Sequence, residues 1–481
     1  MTKVGLVSLG CPKNLVDSEV MLGILSRQGY EITPDASEAE VIVINTCSFI
    51  GPAKQESIDT ILEMAEHKKS GAAKRLVVAG CLVERYRRQI LEEMPEVDYV
   101  LGTNELERIG EACQLSNPGR EPVLQPAPYL YHEFTPRVLS TPSYSAYIKI
   151  AEGCDHTCSF CVIPQMRGQF RSRRFESVMR EAERLCAQGV RELILVGQDN
   201  TSYGEDLGLR NGLATLLREM SQVPGLVWLR FLYCYPNRVT DALIEAVAES
   251  PKVAKYFDIP LQHASGPVLK MMRRGSNGAQ FLKLIERIRS AVPGVTLRTS
   301  LIVGFPGETE EDFRALMDFV SAAEFDRLGV FRYSNEETSG SFGLPNPVAP
   351  EASYQRRRKI LALQRRISRR KLKALAGKRF PMLVEGRAAE TDLLFKGRLE
   401  SQAPEVDGHA LLNDFQGPLP QPGEFRWATI TASSDYDVVA RLEARTFGET
   451  KTQAWETPAQ AGLVQIQPVA GLIHDEALPH L

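Results

Sequence analysis

The stretch that decides the fold is Cys154-Asp155-His156-Thr157-Cys158-Ser159-Phe160-Cys161, in which three cysteines have the spacing C-x3-C-x2-C. It comes shortly after Tyr147-Ile148-Lys149-Ile150, a run typical of a buried strand. Three thiolates on one short loop can converge on a single centre. Structural zinc and cubane iron–sulfur clusters normally take four protein ligands. Three cysteines therefore favour a cluster with one open iron over a zinc site completed by His156 or three buried thiols.

Six runs of strand type, separated by gaps long enough for a helix, surround this loop along the chain. They cover residues 145–150, 192–196, 227–233, 255–260, 296–302 and 328–333. Repeated strand–helix units predict a parallel sheet. Six repeats predict an open, partial (β/α)6 TIM-type barrel at 143–354, and the three-cysteine loop falls at its mouth, where barrel active sites lie.

A second alternating series predicts an N-terminal doubly wound parallel α/β domain at 1–115. Its strands are predicted at 4–9, 41–45, 76–80 and 97–101, with helices at 17–28, 53–67 and from the third strand to about 94. Cys11, Cys47 and Cys81 each follow one of these strands. Because parallel strands end at one edge, we expect the three thiols to be neighbours; coincidence among buried cysteines is the alternative. The other three, Cys113, Cys186 and Cys234, are expected in the core.

The rest of the chain divides into four segments. They are a Pro-rich linker at 116–142, a basic connector helix at 355–377, a small all-β barrel at 378–445 and a flexible extension at 446–481. Residues 355–379 hold twelve Lys or Arg and no Asp or Glu. A solvated connector helix is favoured there over a nucleic-acid contact.

Composition limits the class of protein. The 481 residues are 43% hydrophobic and 24% charged, with a net charge of −3, which excludes collagen-like, coiled-coil and wholly disordered chains. No apolar run approaches the about 18 residues of a membrane span, and the start lacks a signal-peptide core. Nine sparse cysteines argue against a secreted disulfide framework. We expect a cytoplasmic protein with no membrane partner.

The three-cysteine loop at the mouth of a six-stranded partial barrel resembles the radical S-adenosylmethionine (SAM) superfamily. The resemblance implies that Cys154, Cys158 and Cys161 hold a 4Fe-4S cluster whose open iron binds SAM, which is cleaved to a 5′-deoxyadenosyl radical. It also implies SAM contacts in Val196-Gly197-Gln198-Asp199 and in 299–308, which resembles the family's strand-five stretch. The implied contacts are Gly197, Gln198, Ser300, Gly304 and Glu308.

A second cysteine triad ahead of such a barrel, with a small β-barrel behind it, resembles the methylthiotransferases, whose terminal barrel is a TRAM domain. This implies an enzyme with a second 4Fe-4S cluster on Cys11, Cys47 and Cys81. It implies no catalytic side chain beyond the cluster ligands. It further implies that the sulfur on this cluster is methylated by another SAM before transfer. An electron donor such as flavodoxin or ferredoxin, and a sulfur donor, are the implied accessory partners.

Two branches of that family differ in substrate. Ser8-Leu9-Gly10-Cys11-Pro12-Lys13-Asn14 and the ending Met166-Arg167-Gly168 resemble the branch that modifies the β-carbon of an aspartate in the twelfth protein of the small ribosomal subunit (S-twelve). The tRNA branch usually has Gln-Met-Asn after the first cysteine. From Lys378 to Glu443 there are seven Lys or Arg and eleven Asp or Glu, a net −4. This acidity suits a basic ribosomal protein better than RNA. A tRNA methylthiotransferase is the alternative; a non-catalytic, zinc-stabilised RNA-binding adaptor is a more distant one.

Overall fold

The computed structural model describes residues 1–122, 128–388 and 391–447. The N-terminal sheet has five parallel strands in the order β2-β1-β3-β4-β5, an order found in doubly wound folds. The strands are β1 (Lys3–Ser8), β2 (Glu31–Ile32), β3 (Val41–Thr46), β4 (Arg75–Gly80) and β5 (Tyr99–Leu101). The predicted α/β architecture is confirmed, and the two-residue strand β2 is an addition to it.

Helices cover both faces of this sheet. They are α1 (Pro12–Arg27), α2 (Gly51–Ala65), α3 (His67–Ser70), α4 (Cys81–Glu93) and α5 (Ile109–Cys113). Successive strand side chains point to opposite faces. Val41 and Val43 accordingly pack with Met21 of α1, whereas Ile42 and Ile44 pack with Ile61 of α2.

Helix α1 begins at Pro12, so the predicted start at residue 17 is wrong. Pro12 occupies the first turn and Cys11 is the N-cap, an arrangement that suits the missing N–H of proline. The apolar pattern did not reveal this start because the polar residues Lys13, Asn14 and Asp17 are themselves buried, against the next domain.

The central domain contains eight strands, six of them parallel. They are β6 (Ser145–Lys149), β7 (Ala151–Glu152), β8 (Arg171–Ser172), β9 (Glu192–Val196), β10 (Trp228–Phe231), β11 (Tyr256–Asp258), β12 (Thr296–Val303) and β13 (Arg327–Arg332). The parallel strands pair as β6-β9-β10 and β11-β12-β13, and a bridge between Leu229 and Val253 joins the two halves. Strands β7 and β8 form a short antiparallel ribbon. The predicted six-stranded partial barrel is confirmed.

Helices enclose this barrel from outside. They are α7 (Phe175–Ala187), α8 (Gly212–Met220), α9 (Asp241–Glu249), α10 (Gly266–Met271), α11 (Gly278–Ala291) and α12 (Glu310–Ala323). The short helix α6 (Ile163–Arg167) packs instead against α4 of the N-terminal domain. Strand and helix side chains form one continuous apolar core. Cys186 and Cys234 lie in that core and Cys113 in the N-terminal one, as expected.

The C-terminal part is a long helix followed by a closed five-stranded barrel. Its elements are α13 (Pro350–Lys373), β14 (Arg379–Ala388), β15 (Thr391–Leu399), β16 (Ala410–Phe415), β17 (Phe425–Ser433) and β18 (Val438–Thr446). The barrel order is β14-β15-β16-β18-β17, which confirms the predicted small β-barrel. On α13, Lys371 pairs with Asp326. The predicted extension at 446–481 lies, from residue 448 onward, outside the described residues.

The segment between the first two domains packs against both. Arg137 is buried and its guanidinium pairs with Glu19 of α1 at 2.5 Å and with Glu181 of α7 at 2.8 Å. Residues 123–127 of the predicted linker lie outside the described part of the chain. Within that part, no helix combines the length and the apolar character needed to cross a bilayer.

Candidate active site

The N-terminal triad comprises Cys11, Cys47 and Cys81, which the parallel sheet brings to one edge. Cys47 follows β3, Cys81 follows β4, and Cys11 lies between β1 and α1. The strand register keeps these ends level, because Asn45 pairs with Ala79 and each lies two residues before its cysteine. Parallel strands thus deliver residues far apart in sequence to the same place.

Contacts around Gly10 show how close the three loops come. A Cβ added to Gly10 would lie 2.8 Å from Cys47 Cβ and 3.2 Å from Cys47 Sγ. Burial raises the pKa of Cys47 to about 12, and the neighbouring Cys81 and Cys11 add to that rise. The three loops thus bring their thiols to one place, where they can serve one centre.

Asn14 of α1 holds these loops in place. Its Nδ2 donates to the carbonyl oxygens of Leu9 at 3.0 Å and Thr46 at 2.9 Å. Its Oδ1 lies 3.7 Å from Cys81 Sγ. A single buried side chain thus contacts the loops after β1, β3 and β4.

The barrel triad comprises Cys154, Cys158 and Cys161, on the loop between β7 and α6. The Cys154 N–H donates to Gly168 O and the Cys161 N–H donates to Cys158 O, both at 3.1 Å. Burial raises the pKa of Cys161 to about 12, with Cys158 and Cys154 contributing. Burial likewise raises the pKa of Cys154 to about 11. These three thiols also act on one another.

Both triads have N–H donors directed at sulfur. Arg167 Nη2 lies 3.4 Å from Cys81 Sγ, and Arg274 Nη1 lies 3.5 Å from Cys158 Sγ. Such donors stabilise thiolates and help to set the potential of an iron–sulfur cluster. Three thiols with donors at sulfur, and no fourth cysteine in either group, fit two clusters that each keep an open iron.

The zinc alternative for the barrel triad depended on His156. Its Nε2 is instead 2.6 Å from Asp199 Oδ2, and its ring stacks on Tyr235 at 3.7 Å between centroids. The ring nitrogen Nε2 of His156 is therefore taken up by Asp199.

Arg167 joins the two domains between the triads. Its side chain is 2% exposed, and Nη1 lies 2.7 Å from Asp17 Oδ2 and 3.2 Å from Glu152 Oε2. Lys149 Nζ contacts the same two carboxylates. Burial alone would raise the pKa of Glu152, but Lys149 and Arg167 outweigh it and hold that pKa below its usual range. Two cations and two carboxylates form one buried network across the domain boundary.

The segment 162–167 separates the triads. Cys81 packs against Val162 and Met166, and Val162 directly follows Cys161. Ser48, the neighbour of Cys47, donates to Met166 Sδ at 3.1 Å. The two triads therefore flank the same short stretch of chain.

Lys13 reaches this mouth from α1. Its Nζ lies 3.4 Å from the centroid of the Tyr233 ring. Burial opposes its charge, but Cys11 and Tyr233 outweigh burial and raise the pKa of Lys13. Burial likewise opposes the Cys11 thiolate, but Lys13 and Arg167 outweigh it and lower the pKa of Cys11. A lowered pKa favours the thiolate, the form that binds metals.

Two of the predicted SAM contacts, Gly197 and Gln198, lie beside the barrel triad. Gln198 Nε2 donates to Glu152 Oε1 at 2.7 Å. Its Oε1 is buried and has no hydrogen-bond partner within the described residues. Buried polar atoms normally have a partner, so this oxygen fits a ligand donor such as the amino group of SAM.

The other three, Ser300, Gly304 and Glu308, lie on β12 and the loop after it. Ser300 is half-buried. Glu308 accepts a hydrogen bond from Phe305 N at 3.1 Å and pairs with Arg356 Nη1 at 3.2 Å, so its carboxylate closes its own loop. The SAM role of all five residues stays a prediction.

Sequence reasoning did not identify Lys13, Arg274 or the Lys149–Glu152 pair. A signal for the pair was present, because both charges interrupt an apolar strand and buried charges need partners. Lys13 stands in the quoted motif at 8–14, but only as part of a family resemblance and with no role assigned. No local pattern marked Arg274, since its neighbours come from distant segments.

Comparison with known proteins agrees with this organisation. Residues 3–102 match the model of the uncharacterized protein family UPF0004, residues 148–320 the radical SAM superfamily and residues 376–442 the TRAM domain. Among solved structures, the radical SAM methyltransferase TsrM from Kitasatospora setae superposes with a TM-score of 0.51 at 18% identity, over 71% of this chain and 77% of that one. This likeness supports the fold.

Sequence relatives are much nearer. The ribosomal protein uS12 methylthiotransferase RimO of Solibacter usitatus is 57% identical, over 98% of this chain and 100% of the relative. RimO of Koribacter versatilis is 53% identical, over 92% of this chain and 96% of the relative. RimO of Myxococcus xanthus is 50% identical, over 92% of this chain and 91% of the relative. With identity at this level over nearly the full length, and with two cysteine triads facing one barrel mouth, the chain belongs to the RimO family of radical SAM methylthiotransferases.

Proposed function

We propose that this protein adds a methylthio group to the β-carbon of an aspartate in ribosomal protein uS12, by radical SAM chemistry. The observation that carries the proposal is the pair of triads on either side of segment 162–167. One transfer reaction that needs both a carbon radical and a sulfur explains why two open centres lie so close together. The relatives named RimO carry the same activity in their names.

The clusters and SAM, when bound, supply a hydrogen-abstracting radical and a transferable sulfur. The chain's own residues hold these groups in position. Cys154, Cys158 and Cys161 fix one cluster, and Gln198 offers a free buried acceptor beside it. Cys11, Cys47 and Cys81 fix the other. The rigid spacing between them matters, because a radical in a loosely held site reacts with whatever lies nearest.

The Arg167 network provides that rigidity. Its four charged groups are almost completely buried, so water is excluded from the network itself. A buried pair is costly to break once formed, since a partner left alone stays desolvated. We propose that this network fixes the position of the N-terminal triad relative to the barrel triad, and so the spacing of the clusters that the two triads would hold.

The substrate assignment is supported by charge as well as by family. The terminal barrel has a sequence net charge of −4 over residues 378–443, and a basic ribosomal protein complements an acidic surface. We further propose a one-electron protein donor of the flavodoxin or ferredoxin kind, and a separate sulfur donor that renews the N-terminal cluster.

The test is an intact-mass comparison of ribosomal proteins from cells with and without the gene. We expect uS12 alone to gain one methylthio group in place of one hydrogen when the gene is present. An unchanged uS12, together with altered adenosine nucleosides in tRNA, would contradict the proposal in favour of a tRNA methylthiotransferase.

A further inference from the structure

Lys13 is a buried cation without an acidic partner. Lys13 is 8% exposed. The nearby buried cations Lys149, Arg167 and Arg137 each contact carboxylates. Within the described residues, no ion pair links Lys13 to an Asp or Glu, and its ammonium lies instead over the ring of Tyr233.

Such an arrangement is costly without an anion. An ammonium removed from water loses its hydration, and buried charges are therefore normally paired. The Tyr233 ring gives a cation–π contact at 3.4 Å, but this contact is weaker than a full ion pair. Neighbouring Arg167 adds a like charge. The site thus favours an anion that this chain's carboxylates do not provide.

Tyr233 is itself held in a special geometry beneath Lys13. Its φ is +59°, a left-handed conformation that residues with a side chain seldom adopt. Its N–H donates to Asp258 Oδ2 at 3.1 Å and its carbonyl accepts from Asn200 N at 3.0 Å. Strain of this kind is concentrated at functional sites. The barrel therefore positions the ring that supports the ammonium.

The location of Lys13 matches the place where substrate must react. It lies on the first turn of α1, two residues from Cys11 of the N-terminal triad. Tyr233, which it covers, follows strand β10 at the mouth of the barrel that carries the other triad. The ammonium thus stands beside the N-terminal triad, over a ring that the barrel supplies.

We infer that Lys13 binds the side-chain carboxylate of the target aspartate and so selects an acidic residue as substrate. The inference rests on the proposed function above. The reacting β-carbon is bonded directly to the carboxylate carbon, so an ammonium on that carboxylate fixes the reacting atom within one bond. A neutral side chain of the same shape would leave Lys13 without a carboxylate partner.

The rival explanation is that Lys13 only offsets the negative charge of the cluster on Cys11. The two explanations differ in what the substrate must carry. If Lys13 only offsets the cluster charge, replacing it changes the affinity for substrates with and without the carboxylate equally. If Lys13 binds the carboxylate, replacing it lowers the affinity only for the substrate that carries one. A double-mutant cycle between enzyme and substrate separates them.

The experiment uses reconstituted holoenzyme with SAM, kept free of reductant and oxygen so that no turnover occurs. It measures the dissociation constants of two purified ligands. One is uS12, and the other is uS12 with the target aspartate changed to asparagine. We expect the wild-type enzyme to bind the aspartate form about 10- to 100-fold more tightly, the range for a hydrogen bond to a charged group. Lys13→Met should bind both forms equally, and Lys13→Arg should keep most of the preference. Lys283→Met, on an exposed position of α11, is the control for loss of a positive charge.

A Lys13→Met enzyme that keeps the wild-type preference would overturn the inference. An equal loss of affinity of Lys13→Met for the aspartate and asparagine forms of uS12 would also overturn it. So would a wild-type enzyme that binds both forms equally, a result that needs no enzyme variant. Iron and sulfide content show whether each variant has loaded its clusters. Mass analysis of uS12 after turnover tests the proposed function separately, because methylthio transfer by wild type can succeed while the Lys13 inference fails.

Discussion

The barrel triad spans eight residues of one loop, whereas the N-terminal triad is gathered from the ends of three strands. The barrel loop can therefore place its thiols by local backbone geometry, and the N-terminal sheet must be fully assembled first. The first arrangement is visible as a motif. The second is visible only when the strands are drawn as a parallel sheet with level ends.

The two triads also differ in what surrounds their sulfur atoms. Arg167 near Cys81 is locked between carboxylates of both domains. Arg274 near Cys158 has no carboxylate among its described partners, and its second nitrogen donates to Pro260 O at 2.6 Å. The N-terminal site is thus tied to the domain interface, and the barrel site to its own domain.

The largest expected effect comes from the barrel triad. Cys154→Ala removes one of three thiols from a centre with no substitute ligand, so cluster loading there should fail and SAM cleavage should drop to the level of apoprotein. Product formation is lost with it. Reductive SAM cleavage is followed by chromatography of 5′-deoxyadenosine. Cys186→Ala, a core thiol of the same domain, should retain cleavage; equal loss in both variants would contradict the assignment.

The N-terminal triad should be separable from that step. Cys47→Ala leaves the barrel loop intact, so we expect continued 5′-deoxyadenosine formation without methylthio transfer to uS12. Cys113→Ala, buried in the same domain but away from the sheet edge, should keep both activities. Methylthio transfer to uS12 by Cys47→Ala would show that the N-terminal triad is not required for the transfer step.

These contrasts explain what sequence could and could not predict. The meeting of Cys11, Cys47 and Cys81 followed from strand ends alone, because sheet topology is regular. The contacts of Arg167 with Cys81 and Asn14 join residues 86 and 153 positions apart. No periodicity encodes such pairs. The start of α1 was hidden for the same reason. Its first polar residues are buried against another domain, whereas an amphipathic pattern assumes that polar residues face solvent.

The two arginines should affect different clusters. Arg167→Met leaves Asp17 and Glu152 to share Lys149, which should lower the free energy of unfolding by about 3–5 kcal/mol. It also removes a positive donor from Cys81, so the reduction potential of the N-terminal cluster should fall. Arg274→Met should lower the potential of the barrel cluster instead, with a smaller loss of stability. Electron paramagnetic resonance during redox titration measures the reduction potentials of both clusters. If either variant shifted both potentials equally, the idea that each arginine controls its own cluster would be contradicted.

The smallest effect tests the close packing of the N-terminal triad alone. Gly10 and Gly29 flank α1 with φ of +91° and +86°, so alanine at either should cost about 1 kcal/mol of backbone strain. Gly29 has open space around it, but a Cβ on Gly10 would press on Cys47. Overpacking of this kind adds about 1–3 kcal/mol. Gly29→Ala should therefore load both clusters, whereas Gly10→Ala should displace Cys47 and lower the iron content of the N-terminal site only in part, with the barrel signal intact. Full loading of Gly10→Ala, measured as iron per chain, would mean that the N-terminal triad tolerates movement of its loops and is less dependent on sheet geometry than its contacts indicate.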